Sequence, residues 1–161
     1  MTDTTTITGA RPPTGIPAGT TYNPLAGPTS NKPLSWPIGT PVSPSTVADG
    51  TVRPGSASSL DSTFAIGLAS TPGIVGDHAN VQTNGVLTLT TAEWDAITGD
   101  TGGLTRGVPY YLIPAPDDGQ LTTTPPSTPG DFVVRVGIAL SATDFLILIC
   151  CPKLVPRNGN G

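Results

Sequence analysis

Apolar and polar positions fall into three textures along this chain. Over the first 45 residues no periodicity survives: Ile16, Tyr22, Leu25, Leu34, Trp36 and Ile38 stand singly among Thr, Ser, Gly and nine prolines, at 12, 13, 17, 24, 28, 33, 37, 41 and 44. Proline lacks the N–H a sheet interior needs and favours extended conformations, so residues 1–45 read as an outstretched arm. An entropic spacer has no use for six large apolar side chains, and they are read as anchors for another molecule's surface.

From Gly39 onward short apolar runs appear between Gly-containing turns, the rhythm of small β-structures. Residues 46–151 are therefore expected to form a compact β head. Val47-Ala48 leads through Asp49-Gly50 to Thr51-Val52, and Thr63 to Ala69 forms a strand in which Gly67 marks a bulge or a close approach. Asn84-Gly85 signals a hairpin leading into Val86 to Leu89. Thr90 and Glu93 have capping-box spacing and Gly99 stands at a C-cap position, which predicts one short helix over Thr91 to Ile97, with Trp94 and Ile97 on one face. Tyr110 to Ile113 and Gln120 to Thr122 read as strands joined through Asp118-Gly119.

Strict alternation runs from Phe132 to Leu140, placing Phe132, Val134, Val136, Ile138 and Leu140 on one face. Phe145 to Cys150 is apolar on both faces, as in a strand covered twice; the second cover is this chain's own helix and loops or another subunit, and Phe145, Ile147 and Ile149 are the candidate subunit interface. Residues 152–161 form an irregular tail. The fold class is all-β, a small antiparallel barrel or sandwich with one short helix behind a Pro-rich arm.

Composition narrows the function. Gly and Pro number 20 and 19 of 161 residues, which disfavours long helices. Only 11% of residues are charged, against roughly 25% in an ordinary soluble protein, and the net charge is −4. No basic cluster suits nucleic acid, and no apolar run suits a membrane span, so neither is an expected partner. The N-terminus lacks a secretory signal pattern. A surface of Thr, Ser and Gly suits close packing against neighbours, because long charged side chains lose entropy and hydration when covered.

Chemistry is sparse. His78 is the only histidine and follows Asp77 directly, so the two point apart in extended chain. Cys150 and Cys151 read as apolar filler, since their adjacency strains a disulfide and leaves no zinc spacing. Asp100 and Asp117-Asp118 sit in Gly-flanked turns that favour Asp for backbone reasons. No catalytic or cofactor motif is present, so a non-enzymatic protein without cofactor is expected.

The segments Gly39-Thr-Pro-Val, Asp49-Gly-Thr-Val, Ala65-Ile-Gly-Leu-Ala, Gly85-Val-Leu-Thr-Leu-Thr, Glu93-Trp94, Gly103-Leu-Thr-Arg-Gly-Val-Pro-Tyr-Tyr-Leu, Gly119-Gln-Leu-Thr and Val136-Gly-Ile-Ala-Leu-Ser together resemble small β-proteins of tailed-bacteriophage virions. Capsid decoration, or cement, proteins and β-modules of head and tail fibres are among them. The resemblance spans approximately residues 39 to 151 and carries no catalytic residue. It implies a homotrimer on the outer surface of the capsid, made in the host cytoplasm, that binds the major capsid protein and staples its neighbours. The arm anchors Ile16, Tyr22, Leu25, Leu34, Trp36 and Ile38 would make the capsid contacts. The alternative is a head-fibre, tail-fibre or spike component that binds a receptor or glycan, with Tyr110-Tyr111 and Asp117-Asp118 as the candidate cluster. A weaker third reading is an enzyme acting on polysaccharide.

Overall fold

The computed structural model describes residues 20–24, 35–46, 49–74 and 78–157. The protein is all-β. Five strands close a barrel in the order β1 (Thr20–Pro24), β4 (Thr51–Pro54), β3 (Pro41–Pro44), β5 (Gly67–Ala69), β7 (Ala79–Gln82). A second, five-stranded sheet runs β10 (Leu121–Thr122), β9 (Pro109–Leu112), β12 (Arg135–Ala139), β13 (Asp144–Ile147), β8 (Gly85–Thr88). Two small ribbons complete the strands: β2 (Ser35–Trp36) with β6 (Gly73–Ile74), and β11 (Phe132–Val133) with β14 (Lys153–Leu154). Among the described residues every strand pairing is antiparallel except β1 with β4, which is parallel.

The expected boundary at residue 45 is corrected by this topology. β1 lies between β4 and β7 and closes the barrel, and β3 is an internal barrel strand, so residues 20–24 and 35–45 belong to the head. The reason is hydrogen bonding: without β1, strands β4 and β7 would each present a bare edge. Proline enters these strands mainly at their ends, where a missing N–H costs least.

Two apolar clusters hold the head together. Trp36, Val42, Val52, Ala69, Ala79 and Val81 come from the barrel and its ribbon. The larger cluster joins Leu68 of the barrel to Leu87, Tyr110, Leu112, Leu121, Val136, Phe145 and Ile147 of the sheet. Residues 55–57 stitch the two layers, because Gly55 N–H donates to Pro41 O, Ala57 N–H to Ile113 O and Phe132 N–H to Ala57 O, at 2.8–3.0 Å.

The expected helix is present as α2 (Thr91–Thr98), preceded in the chain by α1, a single turn at Leu60–Thr63 whose last residue the sequence pattern assigned to strand. Thr90 and Glu93 form the full capping box, and Gly99 ends α2 at φ 71°, in the left-handed region. Trp94 and Ile97 are buried. The Trp94 indole N–H donates to Thr143 O at 2.8 Å, fastening α2 to the turn before β13.

Two further expectations change. Asn84-Gly85 does not join a hairpin, because β7 belongs to the barrel and β8 to the edge of the other sheet; the pair turns a corner between layers. The alternation over Phe132 to Leu140 breaks at a β-bulge: Arg135 and Gly137 oppose the consecutive residues Tyr111 and Tyr110. One extra residue reverses the facing of the positions beyond it. Val134 and Val136 point into the core, whereas Ile138 and Leu140 point outward and Ala139 is buried.

Candidate functional site

The residues singled out from sequence scatter. Ile16, Leu25 and Leu34 lie outside the described residues, and Tyr22 lies in β1 opposite Ala79. Trp36 is only 5% exposed, within the barrel cluster, and Ile38 packs against the larger core. Trp36 is therefore unavailable as a capsid anchor while the head is folded, whereas Ile38 is partly covered by its own chain.

The proposed subunit interface is likewise corrected at Phe145 and Ile147. Phe145 is fully buried, its ring 5.4 Å from Trp94 and 5.9 Å, edge-on, from Tyr110. Ile147 is buried beside it and Ile149 packs against the same core. The reason is register: odd positions of β13 face the larger core, where Trp94 of α2 and Tyr110 of β9 meet Phe145, so its even positions carry the more exposed side chains.

Those even positions form part of a continuous apolar row. Register places Val86 of β8, Leu146 of β13, Ile138 of β12 and Pro109 of β9 in one row across the sheet. Val86 is 46% exposed, and Leu148 and Leu140 nearby are 42% and 43% exposed. At one end of this face Asp144 accepts hydrogen bonds from Thr88 Oγ1 at 2.7 Å and Ser141 Oγ at 2.8 Å. The Thr88 and then the Ser141 hydroxyl hold its carboxyl below the usual aspartate range. At the other end Arg135 Nη2 donates to Cys150 Sγ at 3.0 Å, and its Nε is shielded from solvent without an acceptor.

Sequence alternation misses this face for two reasons. The bulge moves Ile138 and Leu140 onto it, and the doubly apolar run in β13 does not say which of its faces turns inward. Its one legible signal is that β13 has apolar residues on both sides.

A second apolar area surrounds α1. Leu60 and Phe64 are about half exposed, and a cleft of about 200 Å³ is lined by Thr63, Phe64, Ala65, Ile149, Cys150, Cys151 and Pro152. Both cysteines are free thiols.

Among the described residues the remaining candidates do not come together in one place; Asp77 lies outside them. Tyr110 is fully buried, its hydroxyl accepting from Thr105 N–H at 2.9 Å, so the two-ring platform imagined with Tyr111 for a glycan is not formed. Asp95, rather than Asp100, organises the loop after α2 by accepting from Gly102 and Gly103 N–H at 3.0 and 2.7 Å. Among the described residues no three His, Cys, Asp or Glu side chains are grouped to hold a metal ion, and no helix is long and apolar enough to cross a membrane. No protein-family model matches the chain, and no curated protein matches it.

Proposed function

We propose that this protein is a non-enzymatic structural component of a virion that binds the outer surface of a bacteriophage capsid and stabilises it. The observation that carries the reading is the surface: large apolar side chains at Leu60, Phe64, Val86, Leu140, Leu148 and Leu154 stand exposed on a chain with only 11% charged residues. Such a surface gains from being covered and loses little hydration in the process. The resemblance to virion β-modules supplies the partner, the major capsid protein, and a trimeric assembly on the shell.

Stabilisation follows from mass action, since a protein that binds the assembled shell and not its separated subunits shifts assembly toward the shell. The clamp is built by the head's exposed apolar side chains, not by the buried Trp36.

Co-sedimentation with purified expanded shells tests the proposal. Saturable binding that raises the shell's melting temperature is expected, and Phe64→Asp, at an exposed position outside the core, should weaken it at least about tenfold, a loss of roughly 1.4 kcal/mol. Absence of binding to expanded shells would overturn the reading.

A further inference from the structure

We infer that the outer face of the five-stranded sheet is the contact for a second copy of this chain, the two copies being related by a two-fold axis that lies between the facing sheets and runs across their strands. The inference concerns the free protein, before any assembly on a shell, and shares Val86, Leu140 and Leu148 with the surface proposed to meet the capsid.

Four observations support a second copy as the occupant. The centre of the face is apolar, with Val86, Leu146, Ile138 and Pro109 in one row and Leu148 beside it. Its two charged residues stand at opposite ends. Asp144 lies beside Thr88 and Leu140, whereas Arg135 lies where Cys150 N–H donates to its carbonyl, six residues further along the chain from Asp144, or about 20 Å in extended structure. A two-fold axis across the strands reverses one copy against the other, so each Asp144 end meets an Arg135 end, and the face is its own complement. The Arg135 guanidinium donates through Nη2 to Cys150 Sγ at 3.0 Å, a weak acceptor that leaves its charge uncompensated. Asp144 retains acceptor capacity, since each carboxylate oxygen takes more than one hydrogen bond.

The β8 edge of the sheet is partly closed to this role. Gln82 Nε2 donates to Val86 O at 2.9 Å and Asn84 O at 3.0 Å, so the free side of β8 is partly capped by its own chain. Strand addition there would displace those bonds, which favours the face over this edge for association.

Area sets the strength. Five strands about 4.8 Å apart, with about four residues each at 3.3 Å, give roughly 300 Å² in plan per copy. Two such faces fall below the ~1,200 Å² of stable complexes, so the pair forms at micromolar to millimolar concentration. The end charges set orientation more than affinity.

Sedimentation equilibrium of the full chain, up to about 1 mM and without capsids, tests the inference. A mass rising toward two chains is expected, lost in Leu146→Glu with the thermal melt unchanged. If that variant does not fold, Val86→Glu, at a more exposed position, serves instead. Asp144→Lys and Arg135→Glu should each weaken pairing at least about threefold, and the double variant should restore it. A mass of one chain throughout, or of three, overturns the inference, as does a dimer indifferent to both glutamate variants. Failure of the double variant to recover overturns the two-fold orientation. Because Val86 and Leu148 also belong to the surface proposed to meet the capsid, shell binding is read separately through Phe64→Asp, which lies outside this face.

Discussion

The indole of Trp36 occupies the space in which a side chain at residue 73 would stand. A Cβ built on Gly73 collides with Trp36 Cε2 and Nε1, and the two residues pair across the β2–β6 ribbon. An isolated aromatic in a Pro-rich stretch is thereby a core residue of the head. Trp36→Ala should destabilise the protein by about 3–5 kcal/mol and Gly73→Ala by about 1–3 kcal/mol, both read by urea unfolding. Stability unchanged in Trp36→Ala would return this residue to the role of an external anchor.

Deletion of residues 1–45 should prevent folding. It removes β1 and β3 from the barrel together with Trp36 and Val42 from the cluster they line. Far-UV dichroism and the loss of a cooperative melt are the expected readout; a soluble, cooperatively folded remainder would contradict the barrel topology.

The bulge in β12 depends on Gly137. A Cβ there meets Leu146 O and the Phe145 ring, both parts of the adjacent strand. Gly137→Ala should cost about 1–3 kcal/mol by forcing β12 and β13 apart, since backbone cannot yield as a flexible side chain does. The amide resonances of Leu146 and Phe145 should move most.

The capping box of α2 should be worth about 1 kcal/mol, measured as the loss in Thr90→Ala, because the Thr90 hydroxyl accepts the Glu93 N–H that has no partner inside the helix. Since α2 covers the core through Trp94, the loss should appear in global unfolding rather than local fraying.

Acid should destabilise the head through Glu93 and Asp144. The Thr90 backbone N–H and then the Thr90 hydroxyl hold Glu93 below its ordinary value of 4.5, as the Thr88 and Ser141 hydroxyls hold Asp144 below 3.8. A carboxyl whose folded value is depressed binds protons more readily when unfolded. Its stabilisation is therefore complete above the ordinary value and is lost as pH falls through the depressed one. Asp144→Asn should flatten the acid limb of stability against pH below about 4, and an unchanged limb would show that Asp144 contributes nothing.

How much of this is legible in sequence depends on whether the signal is local. Thr90, Glu93 and Gly99 announce α2 because a helix end is specified by groups a few residues apart. Asp118-Gly119 and the strands around it are equally readable. Asn84-Gly85 misleads because a turn motif fixes a local bend and not which sheet receives the next strand. The candidate site reads one residue out of phase: β13 is recognisably apolar on both faces, but Phe145 and Ile147 take the core and Leu146 and Leu148 the surface.

The all-β class, the short capped helix and the charge-poor surface are properties of this chain's sequence, because residue propensity, cap chemistry and composition act locally or by simple addition. Closure of the barrel by Thr20–Pro24, the burial of Trp36 on Gly73 and the outward turn of Ile138 past the bulge were decided by the tertiary structure. Each depends on which distant strand lies alongside, and hydrogen-bond partners and packing space across such distances are fixed only when the layers assemble.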